Sequence, residues 1–487
     1  LQLLGATDGE TQGDSHSRIS RCRECCSFLG PGAFIAIGFI DPGNWASNIS
    51  AGSNYGYALC WVLLMSSCFG MFVQILASKV GLTTGLPLSA LCRRCYGKKV
   101  NFTLFLLAEV SIIATDLAEV LGTVVALNLL FGIPFWACLL ITALDTGLFL
   151  MLQSFGIRVL EAVVLSMLLV VSVCFVVEMF IVKPSGVDIL VGMIPTMPSG
   201  AVFVAVSVIG ATVMPHNLYL HSAAVLTRPL NRRDHAAMNK AQSYFALDTI
   251  LSLSLSFLVN LAILVMAAAS FFEQDIVVET LQDAYRMLDT LFGDAAKYIF
   301  GISLLFSGQS STITGTLAGE TVMEGFLDMR WKPWKIRLFT RSMALLPACI
   351  AVLIAGNEGT YAALVASQVV LSIQLPFALI PLVRIVGSSI LKRFRMKLFG
   401  MIMAWSLSLV ILSMNFWLLF DSISGVFSLD NTGVMVVLVI LLICLGIGMI
   451  LLLVLISFPY FSPFPEEIKL DGFWRAGSTE RIPDSIN

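Results

Sequence analysis

The sequence predicts an all-α polytopic membrane protein, and three observations carry that prediction. Its 487 residues are 57% hydrophobic and only 12% charged, whereas soluble domains carry roughly 25% charged residues. Twelve segments are apolar over enough length to cross a bilayer, which takes about 20 residues. Two of those segments are interrupted by a proline beside polar side chains. The net charge of −2 gives no indication of a nucleic-acid partner.

The predicted spans follow one another through short polar loops. In chain order we place them at 28–52, 57–80, 102–131, 135–153, 157–182, 199–227, 243–272, 296–320, 338–356, 360–388, 398–420 and 433–458. Polar tails are left at 1–27 and 459–487, and no soluble domain is predicted. The segment Leu1 to Arg23 does not resemble a cleavable signal peptide, because the apolar run after it is too long.

Lysine and arginine are concentrated in the loops that follow the even-numbered spans. The loop after span 7 is acidic instead, with Glu273, Asp275 and Glu279. The positive-inside rule therefore places the even loops and both termini in the cytoplasm. The pattern fits a plasma membrane and an endosomal or vacuolar membrane equally. The basic residues are Arg93, Arg94, Lys98, Lys99, Arg158, Arg228, Arg232, Arg233, Lys240, Arg330, Lys332, Lys335, Arg337, Lys392, Arg393, Arg395 and Lys397.

Spans 1 and 6 are broken in the same way, by DPGN within GFIDPGNWASN and by MPHN within GATVMPHNLYLHS. Proline removes a helical hydrogen bond, and irregular backbone at membrane depth must be buried in protein or line a wet cavity. Paired breaks in corresponding halves indicate a transporter site near the midplane. We expect two inverted repeats at 28–182 and 199–390, followed by two further spans at 398–458. The alternative is a pair of proline kinks that serve only packing.

The two breaks carry donor atoms that suit a divalent cation. Asp41 offers a carboxylate, Asn44 an amide oxygen and Met214 a thioether, and the breaks free backbone carbonyls near Gly38 and Ala211. Oxygen donors alone suit Mg²⁺ or Ca²⁺, whereas added sulfur favours softer ions such as Mn²⁺ and Fe²⁺. The alternative for Met214 is ordinary packing.

The two break motifs resemble those of the natural resistance-associated macrophage protein (Nramp) family of divalent metal transporters. The likeness continues through EVSIIATDLAEVLGTVVALNLLFGIP, GQSSTITGTLAG and SQVVLSIQLPFALIPL, and it covers residues 28 to 420. The resemblance implies a leucine-transporter-like fold with two inverted five-helix repeats. It also implies proton-coupled uptake of Mn²⁺, Fe²⁺ and related ions. The expected partners are the metal ions, protons and the lipid bilayer, and no obligate protein partner is evident from the sequence.

The resemblance assigns roles to matching residues. It implies that Asp41, Asn44, Met214 and the Ala211 carbonyl bind the metal, and that Gln368 approaches in occluded states. The chain departs from the family at Glu320, where glutamine is expected after the glycine of span 8. Related Mg²⁺ carriers are expected to lose the asparagine and methionine ligands, and this chain keeps both.

Span 3 carries three carboxyl groups that helical spacing places on one face, namely Glu109, Asp116 and Glu119. Carboxyls inside a membrane must face water or partners. The resemblance assigns Asp116 and Glu119 to a proton exit route, and Asp41 is a further candidate for the proton pathway. Structural pairing with the basic cytoplasmic loops is the alternative.

Other titratable groups in the spans have weaker claims. His216 adjoins Met214 at the second break, and an imidazole titrates near neutral pH, so it is a candidate for passing protons. His221 is the weaker candidate. We expect Asp145 and Glu161 to be structural, near helix ends or paired with Arg158.

Other functions explain fewer of these features. A sodium-coupled organic-solute carrier or a Mg²⁺ carrier on the same fold remains an alternative. A membrane metallo-enzyme would need clustered histidines such as HExxH, but the chain has four histidines and no such spacing. No filter-like motif favours a channel. Cys92 and Cys95 form a lone CxxC, which is weak evidence for zinc. We therefore expect a transporter without a resident cofactor, rather than an enzyme.

Overall fold

The computed structural model describes residues 28–142, 155–228, 230–232, 234–274, 278, 280–329, 332–426 and 432–457. Every regular element within these ranges is helical, which confirms the predicted all-α class. The predicted tails at 1–27 and 459–487 lie outside the described residues, as does Asp145.

The α-helices are numbered here in chain order. They are α1 (Pro31–Ala36), α2 (Pro42–Tyr55), α3 (Cys60–Thr84), α4 (Leu88–Cys95), α5 (Lys98–Phe131), α6 (Ile157–Val182), α7 (Gly186–Gly192), α8 (Val202–Thr212), α9 (Pro215–Ala224), α10 (His235–Ser270), α11 (Leu281–Phe292), α12 (Asp294–Leu327), α13 (Pro333–Gly387), α14 (Leu398–Val426) and α15 (Thr432–Ser457). Short 3₁₀ helices lie at Ile37–Ile40, Gly56–Leu59, Val225–Thr227, Phe272–Gln274 and Ser389–Phe394. Residues 135–142 are also helical.

Membrane-spanning helices account for most of the described chain. Seven of its helices are long and apolar enough to cross a bilayer, and three shorter apolar helices accompany them. One apolar stretch, Pro42–Thr84, runs across two predicted spans, but Gly56 separates them with a backbone that only glycine adopts easily (φ 57°, ψ −133°). The multi-pass prediction is therefore confirmed, and the count of twelve spans stays a prediction.

The first predicted break is present in span 1. Helix α1 gives way to the 3₁₀ turn Ile37–Ile40, and Asp41 then adopts an extended backbone (φ −66°, ψ 166°). A new helix, α2, begins at Pro42. Asp41 caps this helix, because its carboxylate accepts a hydrogen bond from the Asn44 backbone N–H at 2.7 Å.

The second predicted break is present in span 6. Helix α8 ends at Thr212, Val213 and Met214 are non-helical, and α9 begins at Pro215. Proline suits the first position of a helix because its missing N–H has no partner there in any case. Both breaks therefore end with proline opening the second half-helix.

Side chains from distant helices satisfy the carbonyls that the first break exposes. Ser256 of α10 donates to the Ala36 carbonyl at 2.8 Å, and Asn260 of α10 donates to the Phe39 carbonyl at 2.6 Å. The Ser307 hydroxyl of α12 donates to the Ile40 carbonyl. Unpaired backbone groups are costly where no water reaches them, so these bonds allow an irregular segment inside the membrane.

Helix α13 corrects one prediction. We expected a loop between spans 9 and 10, at 357–359, but the backbone is helical from Pro333 to Gly387. Its apolar parts, Leu338–Ile350 and Gly359–Gly387, match the two predicted spans. Hydropathy shows which residues avoid water. It does not show whether the less apolar residues at 357–359 interrupt the helix or continue it.

Burial places the broken spans at the centre of the molecule. In the span Val202–Thr227, which contains the second break, 94% of the apolar membrane-spanning stretch is buried. In Leu398–Ile423 of α14 the corresponding share is 28%. The helix pair α8–α9 is therefore enclosed by protein, and α14 faces the surroundings, which in a membrane are lipid.

Candidate metal centre

The two breaks meet through the side chain of Asn44. Its amide nitrogen donates to Asp41 Oδ1 at 2.8 Å and to the Ala211 carbonyl at 3.0 Å. Asp41 and Asn44 are fully buried, and Ala211 is almost so. Three of the predicted ligands, which come from α2 and α8, therefore form one compact polar group.

Proline explains why the Ala211 carbonyl is available. In an uninterrupted helix this carbonyl would accept from the N–H four residues later, but that residue is Pro215, which has no N–H. Gly38 stands in the same relation to Pro42. Each carbonyl predicted as a ligand thus precedes a proline by four positions.

Met214, at the second break, has a hydrogen-bond partner that the sequence did not predict. The Asn217 amide donates to Met214 Sδ at 3.6 Å. Gly38 packs against Asn217, since a Cβ at Gly38 would lie 2.7 Å from the amide nitrogen. Asn217 ends MPHN as Asn44 ends DPGN, and this shared position was the signal available in the sequence.

Gln368 of α13 lies between the two broken spans. A Cβ at Gly43 would overlap the Gln368 amide, and a Cβ at Gly210 would overlap the Gln368 backbone carbonyl. The approach at Gly210 requires glycine because the opposing atom is backbone, whereas at Gly43 a larger residue would displace the Gln368 side chain. The structure therefore brings Gln368 to the site, as the family resemblance implied.

Several oxygen atoms at this site are buried without a hydrogen-bond partner. They are Asp41 Oδ2, Asn44 Oδ1, Asn217 Oδ1 and Gln368 Oε1. An unsatisfied buried acceptor costs about 1–3 kcal/mol, and more when it is charged. A divalent cation would provide these oxygens with the partner that the described side chains do not, so the donor set fits a metal.

Conventional metal clusters do not compete with this site. Over the described ranges, no group of three or more His, Cys, Asp or Glu side chains could hold a metal. Cys92 and Cys95 are buried in α4, and burial raises the pKa of the Cys95 thiol to about 12. Both thiols pack in the apolar core, and no second pair of ligands accompanies them in the described residues.

The carboxyls of α5 meet one point on α12. A Cβ at Gly315 would lie 3.0 Å from Glu119 Oε1 and 3.5 Å from Asp116 Oδ1. Arg341 of α13 lies 3.9 Å from Glu119 Oε2 and donates to the Thr142 carbonyl at 3.2 Å. Asp116 and Glu119 therefore share the face of α5 that packs on Gly315, and the inclusion of Glu109 in that face stays a prediction. The partner, however, is an arginine within a span rather than one in a cytoplasmic loop.

The remaining titratable candidates occupy separate surroundings. Glu109 is buried, and neither of its carboxyl oxygens has a hydrogen bond from the described residues. His216 is buried beside the second break, and within the described ranges its Nδ1 has no hydrogen-bond partner. His221 Nδ1 lies 3.0 Å from Gln74 Oε1 of α3. His216 is therefore the histidine next to the predicted ligands, and His221 links α9 to α3.

A buried ion pair and a nearby hydrogen bond link α1, α6, α10 and the segment after α9, at the end of the molecule that we predict to be cytoplasmic. Arg228 binds both carboxyl oxygens of Glu161 at 2.8 Å and the Leu29 carbonyl at 3.0 Å. Asp248 accepts from the Gly32 N–H at 2.6 Å. Glu161 is thus structural, as predicted, but its partner is Arg228. The side chain of Arg158 lies outside the described residues.

Fold and site together define a helical membrane protein of the broken-helix class, with a polar centre where two interrupted spans meet. Residues 32–421 match a family described as natural resistance-associated macrophage protein-like. The chain belongs to this Nramp family, which confirms the resemblance seen in its motifs.

Curated relatives agree over most of the chain. The natural resistance-associated macrophage protein 2 homolog of Dictyostelium discoideum is 44% identical over 432 residues, covering 88% of this chain and 68% of the relative. The divalent metal cation transporter MntH of Ralstonia nicotianae is 44% identical over 407 residues, covering 82% of this chain and 91% of that protein.

Solved structures show the same fold. The Eremococcus coleocola manganese transporter, in complex with an aromatic bis-isothiourea substituted compound, has 30% identity and a TM-score of 0.81, with 90% of this chain and 94% of that chain covered. The nucleobase-cation-symport-1 family transporter Mhp1, in a closed conformation, has 15% identity and a TM-score of 0.58, covering 91% and 95%. The second likeness concerns the fold alone.

Proposed function

We propose that the chain is a proton-coupled symporter of divalent transition-metal ions such as Mn²⁺ and Fe²⁺. The observation that carries the proposal is the group of buried oxygens at Asp41 and Asn44 that have no hydrogen-bond partner among the described residues. They lie beside the Ala211 carbonyl, which accepts from Asn44 because Pro215 offers no helical N–H. The manganese transporter and the divalent metal cation transporter that resemble this chain support the same substrate class.

The donor set favours transition metals over the hard divalent ions. Asp41, Asn44 and the Ala211 carbonyl supply oxygen, and Met214 adds a polarisable thioether that Asn217 holds in place. Ca²⁺ and Mg²⁺ prefer oxygen at every position, whereas Mn²⁺ and Cd²⁺ accept sulfur. The thioether therefore occupies a place where a hard ion would bind an oxygen.

Proton movement belongs to α5 in this proposal. Asp116 and Glu119 lie on one face beside Gly315, with Arg341 near Glu119. A fixed cation beside a buried carboxyl stabilises its ionised form, so the carboxyl can release a proton without being left as an uncompensated charge. A route along α5 would carry the proton away from Asp41 after the metal has bound.

The two half-helix junctions suit alternating access. The breaks let α1 move separately from α2, and α9 separately from α8, around a site that keeps its own hydrogen bonds. The Arg228–Glu161 pair and the Asp248–Gly32 bond then close one end. Opening that end requires these contacts to break.

The test is Mn²⁺ uptake into liposomes that contain a pH dye, with the parent chain and with Asp41→Ala. We expect uptake by the variant to fall to that of protein-free liposomes, because the metal loses its only anionic ligand among the described donors. Asp289→Ala is the matched control, since Asp289 pairs with Lys297 at a half-exposed position.

Two outcomes would overturn the proposal. Parental Mn²⁺ uptake by Asp41→Ala would place the metal site elsewhere in the chain. Mn²⁺ uptake by the parent that leaves the internal pH unchanged would remove proton coupling while keeping metal transport. Mg²⁺ and Ca²⁺ uptake, measured in the same vesicles, separates the transition-metal proposal from a Mg²⁺ carrier.

A further inference from the structure

A recess of about 400 Å³ lies between α6 and α10. Unlike the polar centre at the two breaks, it is lined almost entirely by apolar side chains. Its lining is apolar except for Ser172, whose hydroxyl donates to the Leu168 carbonyl of its own helix at 2.8 Å. Small-molecule sites of ~300–1,000 Å³ normally offer a few polar groups that orient the ligand. This recess offers none along its described lining, so only an apolar occupant suits it.

The recess opens onto the surface that faces lipid. At its mouth Val176, Phe180 and Leu258 are exposed, Phe180 by 75%. At its floor Phe175 and Val259 are buried. Helices α6 and α10 both meet the length and hydropathy of membrane spans, so the exposed mouth is in contact with hydrocarbon chains rather than with water.

Helix α7 covers one end of the recess through Ile189. Val187, Leu190 and Val191 are exposed at the spacing of one helix face, and Ile194, just after the helix, is exposed as well. An exposed apolar face beside the end of a span is typical of a segment that lies in the membrane interface. The recess therefore runs from the interface, under α7, into the hydrocarbon region.

We propose that this recess binds one acyl chain of a membrane phospholipid, with the headgroup remaining in the interface near α7. Continuity with the lipid-facing surface supplies the occupant, and the apolar lining excludes the headgroup from the recess itself. The proposal depends on the membrane-spanning fold and is independent of the transported substrate.

The floor of the recess connects the bound chain to the candidate metal centre. Phe175 contacts Trp45 of α2, with ring centroids 4.8 Å apart, and Trp45 follows Asn44 in sequence. Phe300 of α12 supports the other side of Trp45 at 5.2 Å. A chain in the recess packs behind Phe175 and so stabilises the position of α2.

The test is photolabelling in liposomes made with phosphatidylcholine that carries a diazirine in one acyl chain. Peptide mapping of the full-length protein should find the label concentrated at 172–180 and 255–265. Ala262→Trp fills the recess and should remove most of that label. Leu169→Trp is the matched control, because Leu169 is a lipid-exposed residue of α6 outside the recess lining.

A second variant keeps the test decisive if Ala262→Trp does not fold. Val176→Trp narrows the mouth at a position that is already exposed, and it should lower the same labelling. Equal labelling of all lipid-facing helices would overturn the proposal, as would label that persists at full strength in both variants. Cross-linking of two chains through these peptides would instead identify a second copy as the occupant.

Discussion

Asp41 is bound at one carboxylate oxygen and open at the other. Oδ1 accepts from the backbone N–H and the side chain of Asn44, whereas Oδ2 has no hydrogen-bond partner in the part of the chain that the structure describes. The bonded oxygen fixes the rotamer, and the open oxygen keeps its capacity to bind a cation. A single side chain therefore both caps α2 and points an anionic donor into the site.

The selectivity for Mn²⁺ and Cd²⁺ over Ca²⁺ can be tested at a single residue, Met214. We expect Met214→Leu, which conserves volume but removes sulfur, to let Ca²⁺ compete with Mn²⁺ at concentrations the parent ignores. Cd²⁺ affinity should fall about tenfold, the equivalent of 1.4 kcal/mol. The measurement is inhibition of Mn²⁺ uptake by Ca²⁺ and Cd²⁺ in liposomes. Met266→Leu, in the apolar core, is the control, and identical inhibition curves would show that Met214 only packs.

At the scale of elements, helix α5 contacts a predicted metal ligand and also carries the carboxyls that are predicted to move protons. Ala114 packs against Met214, while Asp116 and Glu119 face Gly315 of α12. One helix thus contacts the predicted ligands and carries the carboxyls predicted to move protons. Such an arrangement couples the two sites through a rigid element rather than through a shared ligand.

Glu119→Gln should therefore uncouple protons from metal. Because Glu119 contacts Arg341 and Gly315 rather than the predicted ligands, we expect Mn²⁺ affinity by calorimetry to stay near the parental value. Acidification driven by Mn²⁺ should lose most of its amplitude. Glu273→Gln, at a surface hydrogen bond with Tyr57, is the control. A loss of Mn²⁺ affinity as large as that of Asp41→Ala would rule this separation out.

The sequence predicted elements better than it predicted the contacts between them. Pro42 and Pro215 each act on their own helix, so both breaks could be read locally. Asn260 and Ser256 satisfy carbonyls more than 200 positions away in the chain, and nothing in their own segment indicates it. Arg341 was missed for the same reason, because its partner Glu119 lies on another helix.

At the scale of the whole molecule, ion pairing closes one end of the bundle. Arg228 joins the segment after α9 to α6 and to the chain before α1, and Asp248 holds the N-terminus of α1. Both half-helices that could swing are thus fixed at the same end.

Arg228→Ala should loosen that end of the molecule. Removing one partner of a buried pair typically costs about 3–5 kcal/mol, so we expect faster hydrogen exchange of the amides in 31–40. Mass spectrometry of the exchanged peptides in detergent or nanodiscs is the measurement. Arg93→Ala breaks a pair with the exposed Asp328 and should change little, since surface pairs contribute about 0–1 kcal/mol. Unchanged exchange in 31–40 would show that Arg228 does not hold α1.

The carbonyl of Ala211 has a consequence for inheritance. A backbone oxygen is common to all residues, so no codon change at position 211 can delete it. What makes it available is the absence of an N–H at Pro215. A missense change at the codon of Pro215 would supply that N–H and let the helix reclaim the oxygen. Natural selection that keeps this carbonyl available therefore acts on the codon of Pro215, four positions after Ala211.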